Sequence, residues 1–144
     1  MSIRKAETTW IGNLREGNGN MKVGSGAFDV PFSHGTRFGD VPGTNPEELI
    51  GAAQAGCFSM FLSSLLTNAG FPPEKIHTQA RVHFGRDEVG PLIEQIELVT
   101  QAVVQGISQE KFDELVDVAK QNCPISRALR AVKSFSVEAS MSSS

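Results

Sequence analysis

Cys57, in "TNPEELIGAAQAGCFSM", and Cys123, in "NCPISRALR", are the two cysteines of the chain. Thiols are nucleophiles, redox centres and metal ligands, and which of these they become depends on what lowers their pKa. No CxxC, HExxH, GxSxG, P-loop or dinucleotide-binding glycine motif accompanies them. His77 and His83 share one face of a strand but lie about 20 Å apart at strand rise, too far to hold one metal. They read as surface residues. His34 has the chemistry of a base for a thiol, but nothing in the spacing selects it. Neither a metal nor a bound cofactor is expected.

The two thiols are placed differently. Cys57 falls well inside a helix that begins near Pro46, and a helix dipole acts mainly within its first turn. Activation would therefore need a cation, and Arg37 in "HGTRFGD" is one candidate. Without one, Cys57 is a small packing residue, and both readings stay open at this point. Cys123 precedes Pro124, which pushes it out of the α region. A helix should stop near Asn122, and Cys123 becomes the N-cap of a short helix whose first residue is Pro124. Backbone N–H groups at that start favour a thiolate on Cys123, so physics alone makes it the better-activated thiol.

The elements that must carry these residues follow from pattern. The first 35 or so residues are rich in Gly, Asn and Thr, with "REGNGN" and "VGSGAF" as turns between strands. The long helix has a complete start: Asn45 as cap, Pro46 first, Glu48 three residues on and able to reach back. Glu47 has no such local task. It either complements the dipole or serves another group. The helix is apolar or small nearly all round, which predicts burial on every side. Gly51 with Ala55, and Ala52 with Gly56, invite a close backbone, either from a second copy of the chain or from the chain's own sheet. Strands are predicted over 76–84 and 92–104 by alternation, joined at "DEVGP". Ser108 caps an amphipathic helix carrying Phe112, Leu115, Val116 and Ala119. A last strand contains Phe135, Val137 and Ala139, and "SMSSS" reads as a tail. Helices do not alternate one for one with strands, so the expected class is α+β with antiparallel sheets.

Composition bounds the rest. A chain of 144 residues, 40% hydrophobic and 20% charged, is expected to form one domain over 1–144. A net charge of -3 with no basic block predicts neither nucleic acid nor a membrane surface as partner. Residues 49–66 have about the length of a membrane span, but Gln54, Ser59, Ser63 and Ser64 interrupt it and a buried soluble helix fits better. The N-terminus lacks a signal-type apolar segment, so a cytoplasmic location with reduced cysteines is expected.

"GTNPEELIGAA", the following "QAGCFSM" and the distant "NCPISRAL" resemble the OsmC/Ohr family of thiol-dependent peroxidases, in its OsmC (osmotically inducible protein C) branch. The resemblance covers almost the whole chain. It implies antiparallel sheets wrapped around a long central helix in an intertwined homodimer. It also implies that the first cysteine attacks an organic hydroperoxide and the second resolves the product to a disulfide, helped by an arginine and a glutamate. These match Cys57, Cys123, Arg37 and Glu47, with no departure at any of the four. The order suggested by physics alone is thereby reversed. A dithiol reductant is implied as partner, of the dihydrolipoyl-protein kind in relatives, and no cofactor. Phe58, Met60 and Phe61 near Cys57, with Phe32 and Phe38 near Arg37, offer an apolar wall for an organic peroxide or plain core packing. Two other readings remain: a non-catalytic binding or structural member of the fold, and a cysteine-dependent hydrolase.

Overall fold

Alternating residues and glycine turns at the N-terminus build a three-stranded meander. The computed structural model describes all residues, Met1–Ser144. It divides into two compact units, Met1–Leu49 and Ile50–Ser144. In the first, β1 (Ala6–Ile11), β2 (Asn18–Val23) and β3 (Asp29–Ser33) pair antiparallel in that order. The first turn starts at Gly12, whose φ of 93° suits glycine, and Asn13 Oδ1 accepts from the N–H groups of Arg15 and Glu16. Gly19 lies beneath Trp10 and Phe32, whose ring centroids are 5.3 Å apart; a Cβ there would meet both rings at 2.7 Å.

One helical turn, α1 (His34–Phe38), follows directly. Nothing in the pattern of "HGTRF" predicts a helix there. Its start is a reciprocal cap: Ser33 Oγ accepts from Thr36 N–H, and Thr36 Oγ1 accepts from Ser33 N–H. So short an element has too few residues to show a 3.6-residue period. The next helix, α2 (Pro46–Asn68), starts where its signals place it, with Glu48 N–H donating to Asn45 Oδ1 at 2.8 Å. It runs from the first unit into the second.

In the second unit, α2 buries one stripe: Gly51, Gln54, Phe58, Leu62 and Leu66. Burial on every side is not what this chain alone provides, because its own sheet covers a single helix face. Ala52, Ala53, Gly56 and Met60 are exposed, Met60 at 77%. Gly51 is where the sheet comes close, its absent Cβ 3.2 Å from Val82 Cγ2 and 3.4 Å from Ala80 Cβ. That sheet is ordered β4 (Pro73–Arg86), β5 (Pro91–Val104), β6 (Ser134–Ser142). Its central strand buries Ile96, Leu98, Thr100, Ala102 and Val104 in alternation. A hydroxyl chain joins helix to sheet: Ser59 Oγ to Thr78 Oγ1 at 2.7 Å, and Thr78 Oγ1 to Thr100 Oγ1 at 2.9 Å.

The expected all-antiparallel pairing needs correction. β4 and β5 are antiparallel, but β6 lies parallel to β5. The intervening helices, α3 (Gln109–Asn122) and α4 (Pro124–Ala128), return the chain to the end where β5 began, so β6 runs the same way. Ser140–Ser142, read as tail, belong to β6. The predicted face of β4 holds through Val82, after which a register shift at His83/Phe84 leaves Phe84 exposed. On α3, Ser108 caps Lys111 N–H, and the buried set is Phe112, Leu115, Val116 and Ala119 as its period requires.

Candidate active site

The break between α3 and α4 positions the second thiol. Cys123 adopts φ -54° and ψ 131°, outside the helical region, because Pro124 follows it. Its N–H still bonds Ala119 O at 3.1 Å, and its carbonyl accepts from Arg127 N–H at 3.0 Å. The residue therefore ends one helix and begins the next. Its side chain is fully buried and makes no capping hydrogen bond. The expectation that amides at the start of α4 point at Cys123 sulfur is corrected here: none caps it, and the amide of Ile125 instead favours negative charge on the sulfur of Cys57. With Pro124 at the first position, Ile125 supplies the first amide the turn can offer, and its target is the neighbouring helix.

Cys57 is half-buried on α2, and both cysteines are free thiols. Their Sγ atoms are 2.9 Å apart. Burial pushes the Cys57 thiol above its ordinary range, and hydrogen bonding to Cys123 pushes it the same way, while the Ile125 amide opposes both. On balance these favour the protonated thiol.

The first unit holds a second preassembled pair. Arg37, in the last turn of α1, donates from Nη2 to Glu47 Oε1 at 2.7 Å and from Nε to Oε1 and Oε2 at 3.1 and 3.3 Å. Glu47 sits in the first turn of α2, with its side chain 12% exposed against 34% for Arg37. Nitrogens facing both carboxylate oxygens fix the guanidinium plane as a single point contact cannot. The Arg37 Cζ also lies 5.0 Å from the centroid of the Phe38 ring. Beside it is an apolar cavity of about 280 Å³ lined by Trp10, Leu14, Phe32, His34, Arg37 and Phe38.

Sequence reasoning anticipated Phe32 and Phe38 beside Arg37. It missed Trp10 and Leu14, which the β1 strand and its turn bring to the same cavity from more than twenty positions away. Of the other proposed wall residues, Phe58 is fully buried in the core, Phe61 packs against the core, and Met60 is exposed. His83 Nε2 lies 2.5 Å from Glu97 Oε2, which Arg81 also approaches at 3.3 Å, so it is an outward-facing ion-pair residue. From sequence Gln54 is only an interruption of an apolar stretch and Ser126 carries no signal, yet Gln54 Nε2 donates to Ser126 Oγ at 2.6 Å.

The comparisons agree with one another. The family model described as "OsmC-like protein" matches residues 38–138. The chain is 42% identical over 129 residues to "Peroxiredoxin OsmC" of Escherichia coli (strain K12), covering 89% of this chain and 90% of that one. It is similar to the crystal structure of the organic hydroperoxide resistance protein OhrB of Bacillus subtilis, with a TM-score of 0.70, 25% identity and coverage of 96% and 98%. An organic hydroperoxide resistance protein from Elizabethkingia anophelis gives a TM-score of 0.74 at 25% identity, covering 99% of each chain. Together with the paired thiols, this likeness over almost the whole length means that the chain belongs to the OsmC-like protein family.

Proposed function

We propose that this chain, a thiol-dependent peroxidase, works through Cys57 as attacking thiol, Cys123 as resolving thiol, and Arg37 with Glu47 as the charged pair that serves them. The observation that carries this reading is the 2.9 Å approach of Cys57 Sγ to Cys123 Sγ from separate helices. Cys57 thiolate attacks the distal oxygen of an organic hydroperoxide, the O–O bond breaks, and the alkoxide leaves as alcohol on taking a proton. Cys57 is left as sulfenic acid. Cys123 attacks that sulfur, water departs, and a disulfide remains. An external dithiol reduces it by exchange through a mixed disulfide. A dihydrolipoyl group on a carrier protein is the reductant this reading favours.

Arg37 supplies a cation to Cys57 and meets the charge developing on the peroxide oxygens; Glu47 holds the guanidinium in orientation. The cavity beside Arg37 takes the organic group, which favours organic hydroperoxides over hydrogen peroxide. Ten residues of α2 between Glu47 and Cys57 correspond to a rise of about 15 Å. That span favours a homodimer in which Glu47 of one copy serves Cys57 of the other. The exposed small-residue face at Ala52, Ala53 and Gly56 suits such a partner helix. Both units are then read as one OsmC-like domain, 1–144, since the likeness to Peroxiredoxin OsmC extends over 89% of the chain. A reducing, cytoplasmic setting suits free thiols.

The test is consumption of cumene hydroperoxide and of hydrogen peroxide by wild type, Cys57→Ser and Cys123→Ser with a dithiol present. Wild type should prefer the organic peroxide, and Cys57→Ser should be inactive. Peroxide turnover that survives Cys57→Ser overturns the assignment. No turnover by any form would indicate a non-catalytic member, and ester cleavage indifferent to Cys123 a hydrolase.

A further inference from the structure

We infer that the Gln54–Ser126 hydrogen bond is a positioning clamp for the resolution step, holding α4, and with it Cys123, at bonding distance from Cys57 while the sulfur of Cys57 changes oxidation state. This rests on the cysteine roles proposed above. Gln54 is three residues before Cys57 on α2, and Ser126 is three residues after Cys123, within α4. Residues three apart on a helix share a face, so Gln54 lies on the Cys57 side of α2, while Ser126 lies in the first turn after the Cys123 break. It is 2.6 Å long between side chains only 1% and 8% exposed.

Two features make it more than packing. First, α4 has five residues, too few to fix its own position. Another polar tie to α2 at this point is the hydrogen bond of Cys123 Sγ to Cys57 Sγ, and both of its atoms react. When Cys57 becomes a sulfenic acid and then a disulfide, that tie is altered. The Gln54–Ser126 bond contains no reacting atom and persists through the cycle. Second, Gln54 Oε1 is buried without a hydrogen-bond partner. An apolar side chain of similar size would avoid that desolvation penalty, so stability alone does not call for glutamine here. Gln54 and Ser126 touch no substrate atom and act through the placement of Cys123.

The chemistry they time is the attack of Cys123 sulfur on Cys57 sulfenic acid, forming the S–S bond and releasing water. It competes with a second hydroperoxide, which would carry the sulfenic acid on to sulfinic acid. The test follows one turnover with cumene hydroperoxide in wild type, Gln54→Met, Ser126→Ala and Ser126→Thr. Peroxide loss reads the attack phase, and intact mass after rapid alkylation reads disulfide formation. In Gln54→Met and Ser126→Ala the attack phase should be unchanged. Disulfide formation should slow by about tenfold, as expected when a reacting group is misplaced by less than an ångström. Sulfinic acid should accumulate in excess peroxide. Ser126→Thr, which keeps the hydroxyl, should behave as wild type. Unchanged disulfide formation in both disrupting variants overturns the clamp, and so does a parallel fall in both phases. If wild type itself shows no attack phase at Cys57, the peroxidase assignment fails instead. Should one disrupting variant not fold, the other removes the same bond from the opposite helix.

Discussion

Cys57 and Cys123, 66 positions apart in the chain, meet with their sulfur atoms 2.9 Å apart in the reduced protein. A disulfide bond is about 2.05 Å long, so oxidation requires an approach of about 1 Å and no unfolding. The two thiols are nonetheless unequal. Cys57 is half-buried and Cys123 fully buried, so Cys57 is the more accessible of the two.

The proposed roles of the two thiols set an order of reaction. In Cys123→Ser, one equivalent of organic peroxide should convert Cys57 to a sulfenic acid that a dimedone-type reagent traps in nearly full yield. Cys57→Ser should remain unlabelled. Labelling of Cys57→Ser at Cys123 would reverse the assignment.

Arg37→Ala removes the cation proposed to hold Cys57 as thiolate. Burial and the contact with Cys123 raise the Cys57 pKa, and a raised thiol pKa favours the protonated, unreactive form. The alkylation of Cys57 as a function of pH should therefore have its inflection at higher pH in Arg37→Ala than in wild type. Peroxide reduction at neutral pH should fall by about a hundredfold or more, the loss usual for a group that stabilises developing charge. Equal inflections in the two proteins would remove Arg37 from this role.

Glu47 tests the arrangement of two copies. Homodimers of Cys57→Ser and of Glu47→Ala should each be nearly inactive, and subunit exchange should yield heterodimers with one intact site. These should recover up to about half of wild-type activity, as two-fold symmetry dictates. Confirmed heterodimers without recovery would mean that Glu47 serves Cys57 within its own chain.

Much of this arrangement was legible because local chemistry dictated it. Asn45, Pro46 and Ser108 mark helix starts by side-chain oxygens and a missing N–H, and Pro124 marks the break at Cys123 through a steric clash; each acts within a few residues. What was not legible depends on partners distant in the chain. Alternation in 134–139 shows a strand but carries no information on whether its neighbour runs parallel. The amide of Ile125 could be counted from sequence, but its effect on a thiol of another helix could not. Gln54 in an apolar helix was visible as an interruption, and only Ser126 beside it gives it a task. The order of the thiols adopted in the proposal comes from the likeness to the OsmC/Ohr family, not from local physics.

The most direct test of the central claim is intact mass under non-reducing conditions after one equivalent of cumene hydroperoxide, followed by peptide mapping. The account predicts a monomeric chain lighter by about two hydrogens, with Cys57 and Cys123 in one cross-linked peptide pair. A covalent dimer, or a chain carrying added oxygen on Cys57 beside a free Cys123, would contradict it.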